Sequence, residues 1–248
     1  MQHPNDGRGL SGNALKLIAC VAMLVDHIGM LLLPQYILLR IIGRIAFPIF
    51  AFMIAEGARY TRNKLRYFLT VFVIAVAMQI VLFVATGSTE MSIFVTFSLS
   101  IPLIYALDLA KRALLSESRS YVSVTLTLLL FVAGVLAAWL VCRTLSVDYG
   151  FYGVMTPVIT SLFMLPKDAP SELRRFDSLP VHVAACGVAL LLLSGMGRGM
   201  QAYSLLALPL LLLYSGKRGK LKIKYFFYIF YPAHLALLYG IKLLTELL

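Results

Sequence analysis

From Asn13 to Leu33 the chain is apolar except for a few polar positions, among them Lys16, Asp26 and His27, and long apolar stretches closed by short polar breaks recur to the C-terminus. A helix needs about 20 such residues to cross a hydrocarbon core of about 30 Å. Of the 248 residues 60% are hydrophobic and 13% charged, whereas soluble domains carry about 25% charged residues. Inside hydrocarbon, backbone N–H and C=O groups must be satisfied within the segment itself, which leaves helices for runs of this length. The reading is an all-α, polytopic transmembrane helix bundle, one domain over residues 1–248.

Breaks at polar and Gly/Pro-rich positions divide the chain into about nine spans: Asn13 to Leu33, Tyr36 to Ala58, Leu65 to Ala85, Met91 to Leu109, Tyr121 to Cys142, Tyr149 to Leu165, Val181 to Met196, Met200 to Tyr214 and Tyr225 to Leu247. No small-residue cleavage site follows the first near Pro34-Gln35, so it reads as a retained anchor and not as a signal peptide. The net charge is +11, and its placement matters more than its sum, because positive residues in short loops mark the cytoplasmic side. Arg59, Arg62, Lys64 and Arg66 fill one loop; Lys111, Arg112 and Arg119 fill the next but one. Lys167, Arg174 and Arg175 follow, then Lys217, Arg218, Lys220, Lys222 and Lys224, while the intervening loops hold only Arg143 and Arg198. The expected N-terminus is cytoplasmic and the C-terminus outside. Basic excess arranged this way speaks for membrane topology and against nucleic acid.

Against that background Asp26, His27, Arg40 and Arg44 stand out, since an ionisable side chain deep in a span costs about 3 kcal/mol on insertion scales. At about 1.5 Å per residue, Asp26 lies roughly 18 Å along the first helix and Arg44 roughly 12 Å below the opposite edge, so the two share a depth. His234 comes out roughly 14 Å deep in the last segment. Asp26 and His27 point about 100° apart on a helix, which suits Asp26 to pairing with Arg44 or Arg40 and leaves His27 to face a cavity. Tyr231 and His234 are three apart and can meet, and Pro232 between them can kink their helix.

These residues carry a family resemblance. Asp26-His27-Ile28-Gly29, the run Ile42-Gly43-Arg44-Ile45-Ala46-Phe47-Pro48 with Glu56-Gly57, the stretch Tyr203-Ser204-Leu205-Leu206-Ala207-Leu208-Pro209 and the terminal Tyr231-Pro232-Ala233-His234-Leu235 resemble the TraX family, and Asp148-Tyr149-Gly150 fits between. The resemblance implies a multi-pass protein of the bacterial cytoplasmic (inner) membrane. It also implies transfer of an acetyl group from acetyl-CoA to an acceptor, in the best-known relative the N-terminal amine of a small membrane-inserted pilin. The family is similar in turn to the wider group of transmembrane acyltransferases.

The residues suit that chemistry. His27 or His234 would serve as general base, histidine being the side chain whose ordinary pKa lies nearest neutrality. Arg44, Arg40 or Tyr231 could face a developing oxyanion, with Asp26 holding the arginines in place. Lys217, Arg218 and Lys220 lie where CoA phosphates would arrive, and Arg40 and Glu56 join them as candidate donor-binding residues. No metal is called for: Cys20, Cys142 and Cys186 lack metal-ligand spacing. Neither a Walker A loop nor a dinucleotide fingerprint follows a strand.

Each residue also has a structural reading: His27 as a packing partner, Arg40 as a snorkelling side chain, Glu56 as a partner of Arg59, the lysine run as a topology signal, and Asp108, Arg112 and Glu117 as a solvated face. Three classes of function thus stand side by side. They are an acetyl-CoA-dependent membrane acetyltransferase, a transporter using the buried charges as a path, and a structural component of a conjugation or secretion apparatus.

Overall fold

Ser11 starts the first helix, its Oγ accepting from the Ala14 N–H at 3.2 Å, and Asn63 and Ser120 cap the helices that follow them in the same way. In the computed structural model, which describes residues 9–116, 120–220 and 224–247, the helices are α1 (Gly12–Leu31), α2 (Ile37–Gly43), α3 (Ala46–Tyr60), α4 (Lys64–Thr86), α5 (Ile93–Leu115), α6 (Tyr121–Thr144), α7 (Gly150–Thr160), α8 (Leu179–Leu193), α9 (Leu208–Leu212) and α10 (Lys224–Leu247). Two 3-10 turns, Ser171–Phe176 and Met200–Ala207, complete the list. Among the described residues no strand forms; two isolated bridges occur, Leu10 with Tyr214 and Met91 with Val147.

Contacts divide the described residues into two compact units. One runs to Met53 and resumes at Ser194; the other holds Ile54–Leu193. In the first unit α1 packs on α2 and α10, and α2 packs on the 3-10 turn Met200–Ala207. Leu15, Ile49, Phe52 and Leu211 are fully buried there, and Phe52 meets Tyr214 edge-on at 6.0 Å. The basic loop after α9 is anchored by its backbone: the carbonyls of Lys217 and Arg218 accept from the N–H groups of Gly12 and Asn13 at 2.8 and 3.0 Å. Those are helix-start donors without intrahelical partners, so the loop and the start of α1 satisfy each other.

The second unit has its core in Ala58, Leu103, Ile104, Leu107, Ala138, Val154 and Val158. Two buried hydroxyls there donate to carbonyls of a neighbouring segment. Ser100 donates to Val154 O at 2.8 Å and Thr96 to Asp148 O at 2.7 Å, which ties α5 to the start of α7. Outward, α6 exposes Val122, Leu126, Leu129, Leu136 and Leu140, and α4 exposes Val73, Ile80 and Val84. Apolar surface this extensive belongs against lipid.

Five helical stretches among the described residues are long and apolar enough to cross a membrane: α1, α2 with α3 taken together, α4, α5 and α6. Nine spans were expected. Three of the other apolar segments hold shorter helices, because residues counted in them form turns. Ser161–Phe163 and Ser194–Gly197 are turns, which leaves α7 with 11 residues and α8 with 15. The eighth segment is a 3-10 turn leading into the five residues of α9, whereas α10 is 24 residues long. The second segment is not one helix either: α2 ends at Gly43, and hydrogen bonds from Arg44 N to Ile41 O (3.2 Å) and Ile45 N to Ile42 O (3.3 Å) tighten the chain before α3 begins.

Candidate active site

Asp26 and His27 sit on α1 one residue apart, and the fold sends them to different neighbours. Arg44 Nη2 donates to both carboxylate oxygens of Asp26 at 2.7 Å, and Arg40 Nη1 donates to Oδ2 at 2.8 Å and to the Asp26 carbonyl at 3.2 Å. Asp26 thus takes both arginines, where the sequence offered one or the other. Arg40 belongs to this network with its side chain 26% exposed, and Arg44 and Asp26 are each 12% exposed. Two cations against one anion leave the trio with a formal charge of +1 in an apolar setting.

Glycine permits the approach. A Cβ at Gly43 would fall inside the Asp26 side chain, and one at Gly29 would stand 2.8 Å from Leu39 Cβ. Both glycines let α1 and α2 close until the arginines reach the carboxylate.

His27 joins α10 instead. Its Nδ1 lies 2.9 Å from Nε2 of His234, whose Nδ1 lies 2.7 Å from the Phe230 carbonyl. A carbonyl can only accept, so the proton of neutral His234 is on Nδ1 and its Nε2 carries a lone pair. That lone pair accepts from His27 Nδ1–H, which leaves the lone pair of His27 on Nε2. The sequence left His27 free to face a cavity; in the structure one of its nitrogens is bound to His234, and the other is the basic atom. Tyr231 presents its ring edge-on to both imidazoles, 6.4 Å from His27 and 5.6 Å from His234, and Phe230 stacks on His234 at 5.0 Å. His234 is 4% exposed.

Gln201, on the 3-10 turn Met200–Ala207, was missed from the sequence. Its Oε1 accepts from Arg44 Nη1 at 3.2 Å. The signal available was an amide just after the Gly197–Gly199 turn, at the head of an apolar run.

The other candidate donor-binding residues are not gathered by this network. Lys217, Arg218 and Lys220 are exposed on their loop, Lys222 lies outside the described residues, and so does the side chain of Lys224. Glu56 is 7% exposed on the Ile54–Tyr60 part of α3, in the second unit, where it acts electrostatically on Arg59.

The second unit holds a further polar cluster that loop-charge counting passed over. Arg59 grips Asp177 through two hydrogen bonds, 2.8 and 2.6 Å, and His182 Nε2 lies 3.0 Å from Asp177 Oδ1. Burial pushes the Asp177 carboxyl up, but the hydrogen bonds from His182 and Arg59 outweigh it and hold it down at about 2. Asp108, expected on a solvated face, pairs with Lys64 at 2.9 Å and Arg112 at 3.1 Å; Glu117 lies outside the described residues. Among the described residues no group of three or more His, Cys, Asp or Glu side chains is arranged to hold a metal ion.

A probable fimbrial assembly protein FimC, serogroup H1, of Dichelobacter nodosus is 30% identical over 250 residues, covering 94% of this chain and 96% of the relative. An uncharacterized protein of Rickettsia prowazekii is 55% identical over 38 residues, 15% of each chain. No solved structure matches. The family model described as TraX protein matches residues 11–242, a range that takes in every residue of the Asp26 and His27 networks, and the chain belongs to the TraX family.

Proposed function

We propose that this chain is a membrane-embedded acetyltransferase of pilus or fimbrial assembly. It would move an acetyl group from acetyl-CoA to an amine or hydroxyl of an acceptor in or beyond the bacterial inner membrane, with its N-terminus cytoplasmic. The observation that carries the reading is the chain of hydrogen bonds from Phe230 O through His234 to His27, which leaves a lone pair on His27 Nε2. A base with a fixed tautomer and a second imidazole behind it suits removal of a proton from an attacking amine. His234 spreads the positive charge that His27 then acquires, as the orienting member of a catalytic triad does. Tyr231 walls the pair, while Asp26 with Arg40 and Arg44 gives the site a net positive field for the developing oxyanion. Lys217, Arg218 and Lys220 would meet the phosphates of CoA as cationic partners. The fimbrial assembly relative and the family's link to pilin support a small membrane-inserted subunit as acceptor.

A second reading, a structural component of the assembly apparatus, is favoured by the complete use of the Asp26 carboxylate in ion pairs. Purified full-length protein in detergent, given acetyl-CoA, separates the two. Cleavage of the thioester that falls by about 10²–10⁴-fold in His27→Ala and His234→Ala, with helix content unchanged, supports the enzyme. Undiminished cleavage in both variants, or none in the parent protein, refutes it.

A further inference from the structure

Gln201 and Ser204 each hold one buried polar atom that the packing leaves unused. Among the described residues, Gln201 Nε2 and Ser204 Oγ are buried side-chain atoms without a hydrogen-bond partner; Ser92 Oγ, in the other unit, is also unpartnered. Ser204 is 0% exposed. Most buried polar atoms in proteins are satisfied, so two orphans three residues apart need a reason. The 3-10 turn Met200–Ala207 supplies the geometry: with three residues per turn, positions three apart eclipse and share a face.

The orientation of the amide is fixed chemically. Arg44 Nη1 only donates, so it requires the oxygen of Gln201, and the 3.2 Å contact is to Oε1. Turning the amide over would set donor against donor. The NH2 group therefore points away from Arg44, and the Ser204 hydroxyl adds a second donor on the same face. The arginines themselves are spent on Asp26, which makes neutral donors the better match for an oxygen that gains charge during a reaction.

Resting on the acetyltransferase reading, we infer that Gln201 Nε2 and Ser204 Oγ are the oxyanion-holding donors of the transfer, with Arg44 orienting the amide. The acceptor's lone pair attacks the thioester carbonyl carbon while His27 Nε2 takes the acceptor's proton. The π electrons of the carbonyl move onto its oxygen, which Gln201 N–H and Ser204 O–H hold. On collapse the C=O bond reforms, the C–S bond breaks, and the leaving thiolate of CoA takes the proton from His27. Acetylated acceptor and CoA thiol are released.

The test uses the full chain in detergent with acetyl-CoA as probe, water or a simple primary amine as acceptor, and free CoA followed by chromatography. Gln201→Glu keeps an oxygen for Arg44 but deletes the NH2, and Ser204→Ala deletes the hydroxyl with little change of volume. Loss of one oxyanion donor lowers kcat by about 10²–10³-fold. The expected result is a loss of that order for Gln201→Glu and at least tenfold for Ser204→Ala, with KM for acetyl-CoA and the melting temperature little changed. Parent-level kcat in both variants overturns the oxyanion assignment and leaves the acetyltransferase standing. Losses that only track a lowered melting temperature in both variants assign the pair to packing and also overturn it. A parent protein that never cleaves acetyl-CoA overturns both readings together.

Discussion

Removal of the Asp26 charge tests whether the arginine network holds the first unit together. Asp26→Asn keeps the size of the side chain and one accepting oxygen but withdraws the only anion among the three. Arg40 and Arg44, 26% and 12% exposed, then face each other across a neutral amide. Breaking a buried ion pair by removing one partner costs about 3–5 kcal/mol, mostly from the cation left uncompensated. Asn still accepts one hydrogen bond, so the lower figure applies, about two powers of ten in the folding equilibrium. Asp26→Asn with Arg40→Gln returns the cluster to its original formal charge of +1 and should recover at least about 1 kcal/mol, a coupling normal for residues in one network. Cys20, 2% exposed on α1 in the same unit, offers a reporter. With Cys142 and Cys186 replaced by alanine, labelling of Cys20 by a thiol-reactive dye along a denaturant titration reads the opening of that unit. The reasoning is refuted if Asp26→Asn leaves the titration midpoint where it was, or if the double variant is no more stable than the single one.

Gly43→Ala should be costly although it adds a single methyl group, because the new Cβ would occupy the space of the Asp26 side chain. Overpacking of this kind costs about 1–3 kcal/mol, and the same Cys20 titration measures it. In the second unit, Asp177 makes stability depend on acid. Its folded carboxyl titrates at about 2 against an ordinary 3.8, so its contribution is complete above about pH 4 and is lost as pH falls through 3.8 toward 2. That contribution is about 2 kcal/mol; Asp177→Asn should lower stability at pH 6 by that order and flatten the fall below pH 4. Fluorescence of the single tryptophan, Trp139 on α6 in the same unit, follows it.

What could be read from the chain alone was set by the range of each interaction. Apolar length announces a membrane-spanning helix within its own residues, so α1, α4 and α6 were legible to within two residues at each end, while α5 runs on past the expected Leu109 to Leu115. Depth was legible too: rise per residue put Asp26, Arg44 and His234 within a few ångströms of one level, and a carboxylate beside two guanidiniums leaves little choice of partner. Two things were not fully legible, because a distant element takes part in each. The break at Arg44 and Ile45 has a local signal in Pro48, which cannot donate to the Arg44 carbonyl four residues back and whose ring crowds it, but the close approach of Gly43 to Asp26 on another helix has none. Pairing of His27 with His234 joins residues 207 positions apart, and only the packing of α10 on α1 shows which imidazole stands behind the other.

Gln201 is the most instructive of the residues missed. A transmembrane helix over Met200–Tyr214 would have left its amide among apolar neighbours, as a polar residue with nothing to do. The chain instead forms a 3-10 turn there, and the eclipsed spacing of that turn puts Gln201 and Ser204 on one face. The partner that uses the amide, Arg44, stands 157 positions away, its Nη1 donating to Gln201 Oε1 at 3.2 Å. Nothing in the run Met200–Tyr214 names that partner, which is why the amide could be read as a lone polar residue and only the packing of α2 on this turn gives it a role.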